Sequence, residues 1–194
     1  MIKTILFSAF MALGTFLIAN GDPVVRTAKV DVESSTVEWT GKKVTGQHEG
    51  TIAIKSGELE FDSNGNLASG NIVVDMTSIT CTDLKGGGAG KLVGHLSSDD
   101  FFGVDKHPEA SLTIDSAIES GDGNYDITGE LTIKGITKPI SFSSKMMSNT
   151  FTSEIVIERT QYGVRYGSGS FFDNLGDKTI DDEFTLNVSL VLAK

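Results

Sequence analysis

Cys81, the histidines His48, His95 and His107, and the carboxylates Asp173, Asp177, Asp181 and Asp182 are the side chains of types that hold metals or carry nucleophilic chemistry. Their spacing argues against both uses. The histidines lack Cys, His or Glu neighbours at zinc-site offsets. The aspartates do not follow an EF-hand loop and read instead as a solvated acidic loop. Gly167-Ser168-Gly169 is one residue too tight for the G-x-S-x-G nucleophile elbow. The glycine run Gly86-Gly87-Gly88-Ala89-Gly90 leads into Lys91, as a phosphate loop would. However, Lys85 stands where that loop starts with Gly, and Leu92 replaces the hydroxyl residue that ligates magnesium. The dinucleotide fingerprint fails as well, because its third glycine falls on Lys91. The chain therefore reads as non-enzymatic, with neither metal nor cofactor. Arg159 is the charge that needs explaining. With regular alternation it ends the apolar row Phe151, Ser153, Ile155 and Ile157, where it must meet carboxylates, backbone carbonyls or a polar ligand group, or snorkel to a rim.

The chain has 194 residues and a net charge of −10. Phosphate backbones and anionic lipid surfaces are held by clustered Lys and Arg, so nucleic acid is excluded as an expected partner. A chain this long buries a sizeable core without a metal or disulfide staple. With a single cysteine, an intramolecular disulfide is impossible.

Lys3 followed by the uncharged, mostly apolar run from Ile5 to Ile18 is too short for a membrane span but fits the core of a secretory signal peptide. Small residues at Ala19 and Gly21 place cleavage near Gly21/Asp22. The expected organisation is a signal peptide over 1–21 and one domain over 22–194, located in the periplasm or outside the cell.

From residue 29 onward apolar residues recur at period two, the mark of strands with one buried face. The pairs Val37 and Trp39, Ile52 and Ile54, and Leu59 and Phe61 begin the series. It closes with Phe184, Leu186, Val188, Leu190 and Leu192. Turn signals at Asp62-Ser63-Asn64-Gly65, Ser120-Gly121-Asp122-Gly123 and Lys134-Gly135 separate the runs. The expected fold is all-β: an eight-stranded up-and-down antiparallel barrel, since closure removes the exposed edges of a meander. A two-sheet sandwich uses the same alternation. Between Cys81 and His107 the period breaks. Gly86 to Gly90 reads as a flexible run, after which Leu92 and Leu96 share a helical face, and Ser97 to Asp100 reads as a capping box for a short turn carrying Phe101 and Phe102. A short helical insertion is expected around residues 90–103, as a lid or plug. The two phenylalanines either cap a cavity or pack as ordinary core.

Four segments carry a resemblance. They are Val37-Glu38-Trp39-Thr40-Gly41-Lys42 leading to His48-Glu49-Gly50, the run Lys91 to Phe102, Lys106-His107-Pro108-Glu109-Ala110, and Gly129 to Pro139. On these residues the chain from Lys29 onward resembles the YceI-like family of secreted lipid- or polyisoprenoid-binding proteins. The resemblance implies a lipocalin-like barrel whose apolar lumen takes an isoprenoid chain without covalent chemistry. His107 departs from the family's Tyr before the Pro, and the Gly86 to Gly90 run also departs from its pattern. Carried over onto the inward candidates that strand parity gives, the resemblance implies lumen contacts at Trp39, Phe101, Phe102, Ile127, Leu131, Ile133, Phe142, Ile155, Ile157, Phe184, Leu186 and Val188, with His48, His95 and Arg159 as candidate contacts to a polar head group.

The expected function is sequestration or transport of an isoprenoid, quinone-like or other long-chain apolar ligand by a monomer or homodimer, with transient contact to a membrane or membrane protein. The alternative is a filled-core barrel acting on a protein partner through its acidic surface. A third reading places an enzyme on the barrel scaffold.

Overall fold

The computed structural model describes residues 26–194; the leader expected over 1–21 lies outside the described residues. Alternating side chains there build β1 (Arg26–Lys29), β2 (Thr36–Lys43), β3 (Gly46–Phe61), β4 (Leu67–Asp75), β5 (Glu109–Gly121), β6 (Asn124–Ile133), β7 (Ile136–Met147), β8 (Thr150–Glu158) and β9 (Ile180–Val191). The antiparallel sheet runs β1-β3-β2-β9-β8-β7-β6-β5-β4, and a further β3–β4 ladder closes it. Although nine strands are present among the described residues, the wall has eight staves. β1 pairs with Glu58–Phe61 and β2 with Gly46–Ile52 on the same strand β3. Val30 bridges Leu192, while Thr36 pairs with Ser189. β1 and β2 are thus successive lengths of one stave. The Asp31 carboxylate, which accepts from Ser34 N at 3.2 Å and Ser34 Oγ at 2.8 Å, shapes the turn between them.

The expected Ile52–Ile54 and Leu59–Phe61 rows lie on one long strand. A register shift between Ile54 and Ser56 lets Lys55 bulge, which changes inward parity from even to odd while both rows stay inside. A second shift, between Ile114 and Ser116 on β5, does the same for Ile114 and Ala117. The three expected turns are present. At the first, Asp62 Oδ1 accepts from Asn64 N and Asn66 N, each at 2.8 Å. At the third, Lys134 and Gly135 have φ of 53° and 72°, the paired left-handed geometry that suits a tight hairpin.

The insertion differs from expectation in two respects. Helix α1 spans Gly87–Ser97, so the glycine run forms its first turn instead of acting as a flexible lead. The expected capping box starts no helix. Ser98 ends α1, its N–H and hydroxyl both donating to the His95 carbonyl at 3.1 and 2.7 Å. Phe101 N and Gly103 N then donate to Ser98 O, winding turns that hold Phe101 and Phe102.

The interior divides along the barrel axis. One end is a dense floor in which Phe61 and Leu59 are 0% and 1% exposed. There the Phe151 ring lies 6.5 Å from that of Phe61 and 5.7 Å from that of Tyr125. Around the other end Met76, Ile79, Leu96, Phe101, Val104 and Tyr162 form a second apolar cluster. Most seams between staves are laddered over most of their length. The shortest ladder is that of β7–β8, whose pairing stops after Met147↔Thr150, Met146↔Phe151 and Lys145↔Thr152.

Candidate functional site: an apolar lumen

Between floor and lid lies a cavity of about 500 Å³, within the usual size range of small-molecule sites. Every strand from β2 to β9 contributes to its lining, because inward positions recur at every second residue. The structure brings all of the nominated residues to this one cavity. Trp39, Ile127, Leu131, Ile133, Phe142, Ile155, Ile157, Phe184, Leu186 and Val188 line it from the staves, and Phe101 and Phe102 line it from the insertion. His48, His95 and Arg159 stand on the same lining.

Phe101 and Phe102 meet edge to face at 5.3 Å, and Phe102 meets Phe184 at 6.2 Å. Leu92, His95 and Leu96 of α1 complete this lid. The His95 ring sits between Phe101, at 5.4 Å, and Tyr166, at 4.4 Å. It therefore joins α1 to the loop between β8 and β9.

Trp39 is fixed by donation from Nε1 to the Thr80 carbonyl at 3.1 Å. Gly50 makes that approach possible, since a Cβ there would overlap the Thr80 carbonyl oxygen and stand 2.7 Å from the Trp39 ring. The segment after β4 thereby packs on the outer end of β3. Nearby, His48 Nδ1 pairs with Asp83 Oδ2 at 2.8 Å. Asp83 Oδ1 also accepts from Glu49 N at 3.1 Å and from Cys81 Sγ at 3.2 Å. These bonds, led by that from His48, hold the Asp83 carboxyl far below the usual carboxylate range. A tautomer that donates from Nδ1 presents Nε2 as an acceptor. Asp83 stands between Cys81 and His48, and burial pushes the Cys81 thiol up, the opposite of what activates a nucleophile.

Arg159 is 2% exposed, and its guanidinium is spent within the chain. Nε donates to Asp181 O at 2.8 Å, and Nη1 donates to Val164 O at 2.8 Å and Tyr166 O at 3.0 Å. Nη2 donates to Ile180 O at 3.0 Å and approaches Asp182 Oδ1 at 3.4 Å. Five donors meet five acceptors, which satisfies the group's hydrogen-bonding capacity. Burial lowers the Arg159 pKa, opposed by Asp182 and Asp181. For Asp182 burial acts upward, but hydrogen bonds from Ser168 and Ser170 and the Arg159 charge outweigh it and leave the carboxyl below its ordinary value. Arg159 is thus the pin of the β8–β9 loop. To a ligand it presents a charge behind the Phe101 ring, whose centroid lies 5.6 Å away, and no unspent N–H.

The open end beyond the lid carries Lys42, Lys43 and Lys178 together with Asp177, Asp181 and Glu183. Beside it Val44, Tyr166, Phe171 and Phe172 are 62%, 48%, 46% and 51% exposed. Val44 N donates to Thr179 O at 3.1 Å, tying the β2–β3 turn to the same loop. Among the described residues no three His, Cys, Asp or Glu side chains converge in a metal-holding arrangement.

Sequence reasoning did not nominate Val37, Ile52, Ile72, Val74, Leu112 and Ile140, which also line the lumen. The same alternation marks them. Ile79, Tyr166 and Lys178 come from connecting segments, Lys178 from the short 3-10 turn Gly176–Lys178, and no period could have found them.

Relatives and structural neighbours agree with this architecture. A UPF0312 protein of Pseudomonas putida is 32% identical over 142 residues, 70% of each chain. One from Vibrio parahaemolyticus is 35% identical over 94 residues, covering 47% of this chain and 46% of its own. Crystalline BcnA of Burkholderia cenocepacia superposes with a TM-score of 0.67 at 24% identity, over 85% of this chain and 99% of that one. A polyisoprenoid binding domain from Saccharophagus degradans gives a TM-score of 0.57 at 14% identity, over 84% and 96%. At those identities the two structures show a shared fold. The sequence profile of the YceI-like domain matches residues 29–192, and with a closed barrel, an apolar lumen and a helical lid in place, the chain belongs to the YceI-like family.

Proposed function

We propose that this protein is an exported carrier that shields an isoprenoid, quinone-like or other long-chain apolar ligand in its lumen without altering it. The carrying observation is the 500 Å³ cavity walled by aliphatic and aromatic side chains from all eight staves. The Saccharophagus degradans neighbour, described as a polyisoprenoid binding domain, supports the ligand class. Two buried isoprene units, about ten carbons, offer roughly 8 kcal/mol gross at ~0.8 kcal/mol per buried carbon, against several kcal/mol of association cost. A few units inside the barrel therefore suffice for useful affinity. His48 and His95 supply hydrogen bonds to a polar head at the mouth. Arg159, its N–H groups engaged, contributes its positive charge alone. Transient contact with a membrane falls to Val44, Phe171 and Phe172 beside that mouth, whose apolar surface needs no excess of cationic charge to meet a lipid interface. The domain over 22–194 is delivered by the leader over 1–21.

The test is to produce the mature chain, Asp22 to Lys194, by export in a bacterial host, extract it with organic solvent, and identify bound lipid by mass spectrometry against a mock purification. A near-stoichiometric isoprenoid or quinone is expected. Its absence, with failed uptake of added isoprenoid quinones, would transfer the assignment to a filled barrel acting on a protein partner.

A further inference from the structure

The β7–β8 seam is held differently from the rest of the wall. Its ladder ends at Lys145↔Thr152, while β7 continues back to Ile136 and β8 on to Glu158. Along that stretch both strands stay paired on their other sides, to β6 and β9. The unladdered stretch from Ser153 to Glu158 is roughly 20 Å long at ~3.3 Å per residue. Pro139 lies on the facing stretch of β7; it has no N–H to give and belongs to an edge strand. Along this slit the wall is closed by side chains alone. Phe142 and Ile140 of β7 and Ile155 and Ile157 of β8 close its length toward the lid.

At its floor end the inward residues are Ser144, whose hydroxyl donates to Thr152 O at 3.2 Å, and Ser153, both small and polar in an otherwise apolar row. Here the lumen meets a shallow outer pocket, and Ser144, Ser153 and Val188 line both. The outer pocket is otherwise built from hydroxyls and amides, including Ser143, Thr152, Asn124 and Asn187, with Glu38, Glu154 and Lys145 around them. Those three charges sum to one negative, so the surroundings disfavour an anionic head. The backbone groups along both lips of the slit lack a ladder partner across it, and such groups need hydrogen bonds from elsewhere.

We propose that this seam is a side portal through the barrel wall and a subsite for an uncharged hydroxyl or carbonyl terminus of the lumen ligand. The chain lies in the apolar lumen and its neutral end reaches the serine rung just above the floor. This rests on the lumen reading for the chain's place, while the portal itself stands on the wall's pairing.

The rung supplies its own control. Ser153 pairs with Val188, which pairs with Val37, which pairs with Ile52, so Val37 lies inward on the same cross-strand row within laddered wall. In a Cys81→Ser background, Ser153→Cys and Val37→Cys are labelled with a charged, water-soluble maleimide, with and without saturating farnesol, an uncharged isoprenoid alcohol. Ile52→Cys replaces Val37→Cys if that variant fails to fold. Cys at 153 is expected to react at least about tenfold faster than its control, because local opening is easiest where few backbone bonds hold the wall, and farnesol is expected to abolish the difference. Equal, slow labelling at both positions overturns the portal whether or not lipid binds. Fast labelling that farnesol leaves unchanged, when equilibrium dialysis shows it bound, overturns the subsite. Farnesol failing to bind in dialysis is a failure of the lumen reading, and the two labelling rates still decide the portal.

Discussion

Arg159 and Asp182 approach at 3.4 Å with side-chain exposures of 2% and 20%, but backbone carbonyls hold the guanidinium more than the carboxylate does. Four carbonyls separated from Arg159 by five to twenty-two positions converge on it. The arginine thus fixes the loop carrying Tyr166, Phe171 and Phe172, and through Tyr166 it positions the ring contact with His95. Arg159→Leu leaves Asp182 and those carbonyls without their partner and is expected to cost about 3–5 kcal/mol, read by chemical denaturation. Arg159→Lys should recover only part of it, since an ammonium cannot reproduce the planar fork. A loss below about 1 kcal/mol for Arg159→Leu would show the loop is held elsewhere.

Ile155 is 8% exposed and shares the lining with Leu186 on the next stave. Ile155→Asp places a carboxylate in the apolar lumen and should abolish uptake of a fluorescent isoprenoid while export continues. The gentler Leu131→Trp, which fills lumen volume, should lower capacity with the far-ultraviolet circular dichroism of the barrel unchanged. Full uptake by both variants would take the ligand out of this cavity.

Gly50→Ala sets a methyl against the Thr80 carbonyl and the Trp39 ring. Overpacking of this kind costs about 1–3 kcal/mol. The loss should appear as a lower melting temperature with a change in Trp39 fluorescence, because the same shift breaks the indole's bond to Thr80. An unchanged emission spectrum would separate the two effects.

Acid should loosen the Asp83 anchor before the barrel unfolds. The folded-state pKa of Asp83 lies below its unfolded value, chiefly through His48. Its stabilising contribution is therefore present above the ordinary carboxylate range and is lost as pH falls below that range toward the folded value. Asp83→Asn should remove this part of the acid dependence, measured as hydrogen exchange in residues 80–85 against pH. An identical acid profile in the variant would assign the sensitivity to another group.

Much of the fold was legible because strand periodicity is local. Trp39, Ile127, Phe142, Ile155 and Leu186 could be assigned inward from their neighbours' alternation alone, and Lys134-Gly135 announced its hairpin through backbone geometry that few residue pairs adopt. Two bulges were not legible. Lys55 and Asp115 are ordinary strand residues, and only the partner strand's register shows that each is extra. The glycine run misled for a related reason. Gly87, Gly88 and Gly90 carry little intrinsic preference for helix, and α1 forms there because Leu92 and Leu96 find the barrel mouth to pack against.

By itself the sequence determined the inward face of each strand, the turns and the apolar character of what the strands enclose, since all three follow from residues adjacent along the chain. Tertiary structure alone decided how Arg159's donors are spent, that Asp83 meets His48, and that the β7–β8 ladder stops at Lys145↔Thr152. Each of these depends on groups brought together by closure of the barrel. A backbone carbonyl's position, or the absence of a partner across a seam, leaves no mark in the type of the residue that bears it.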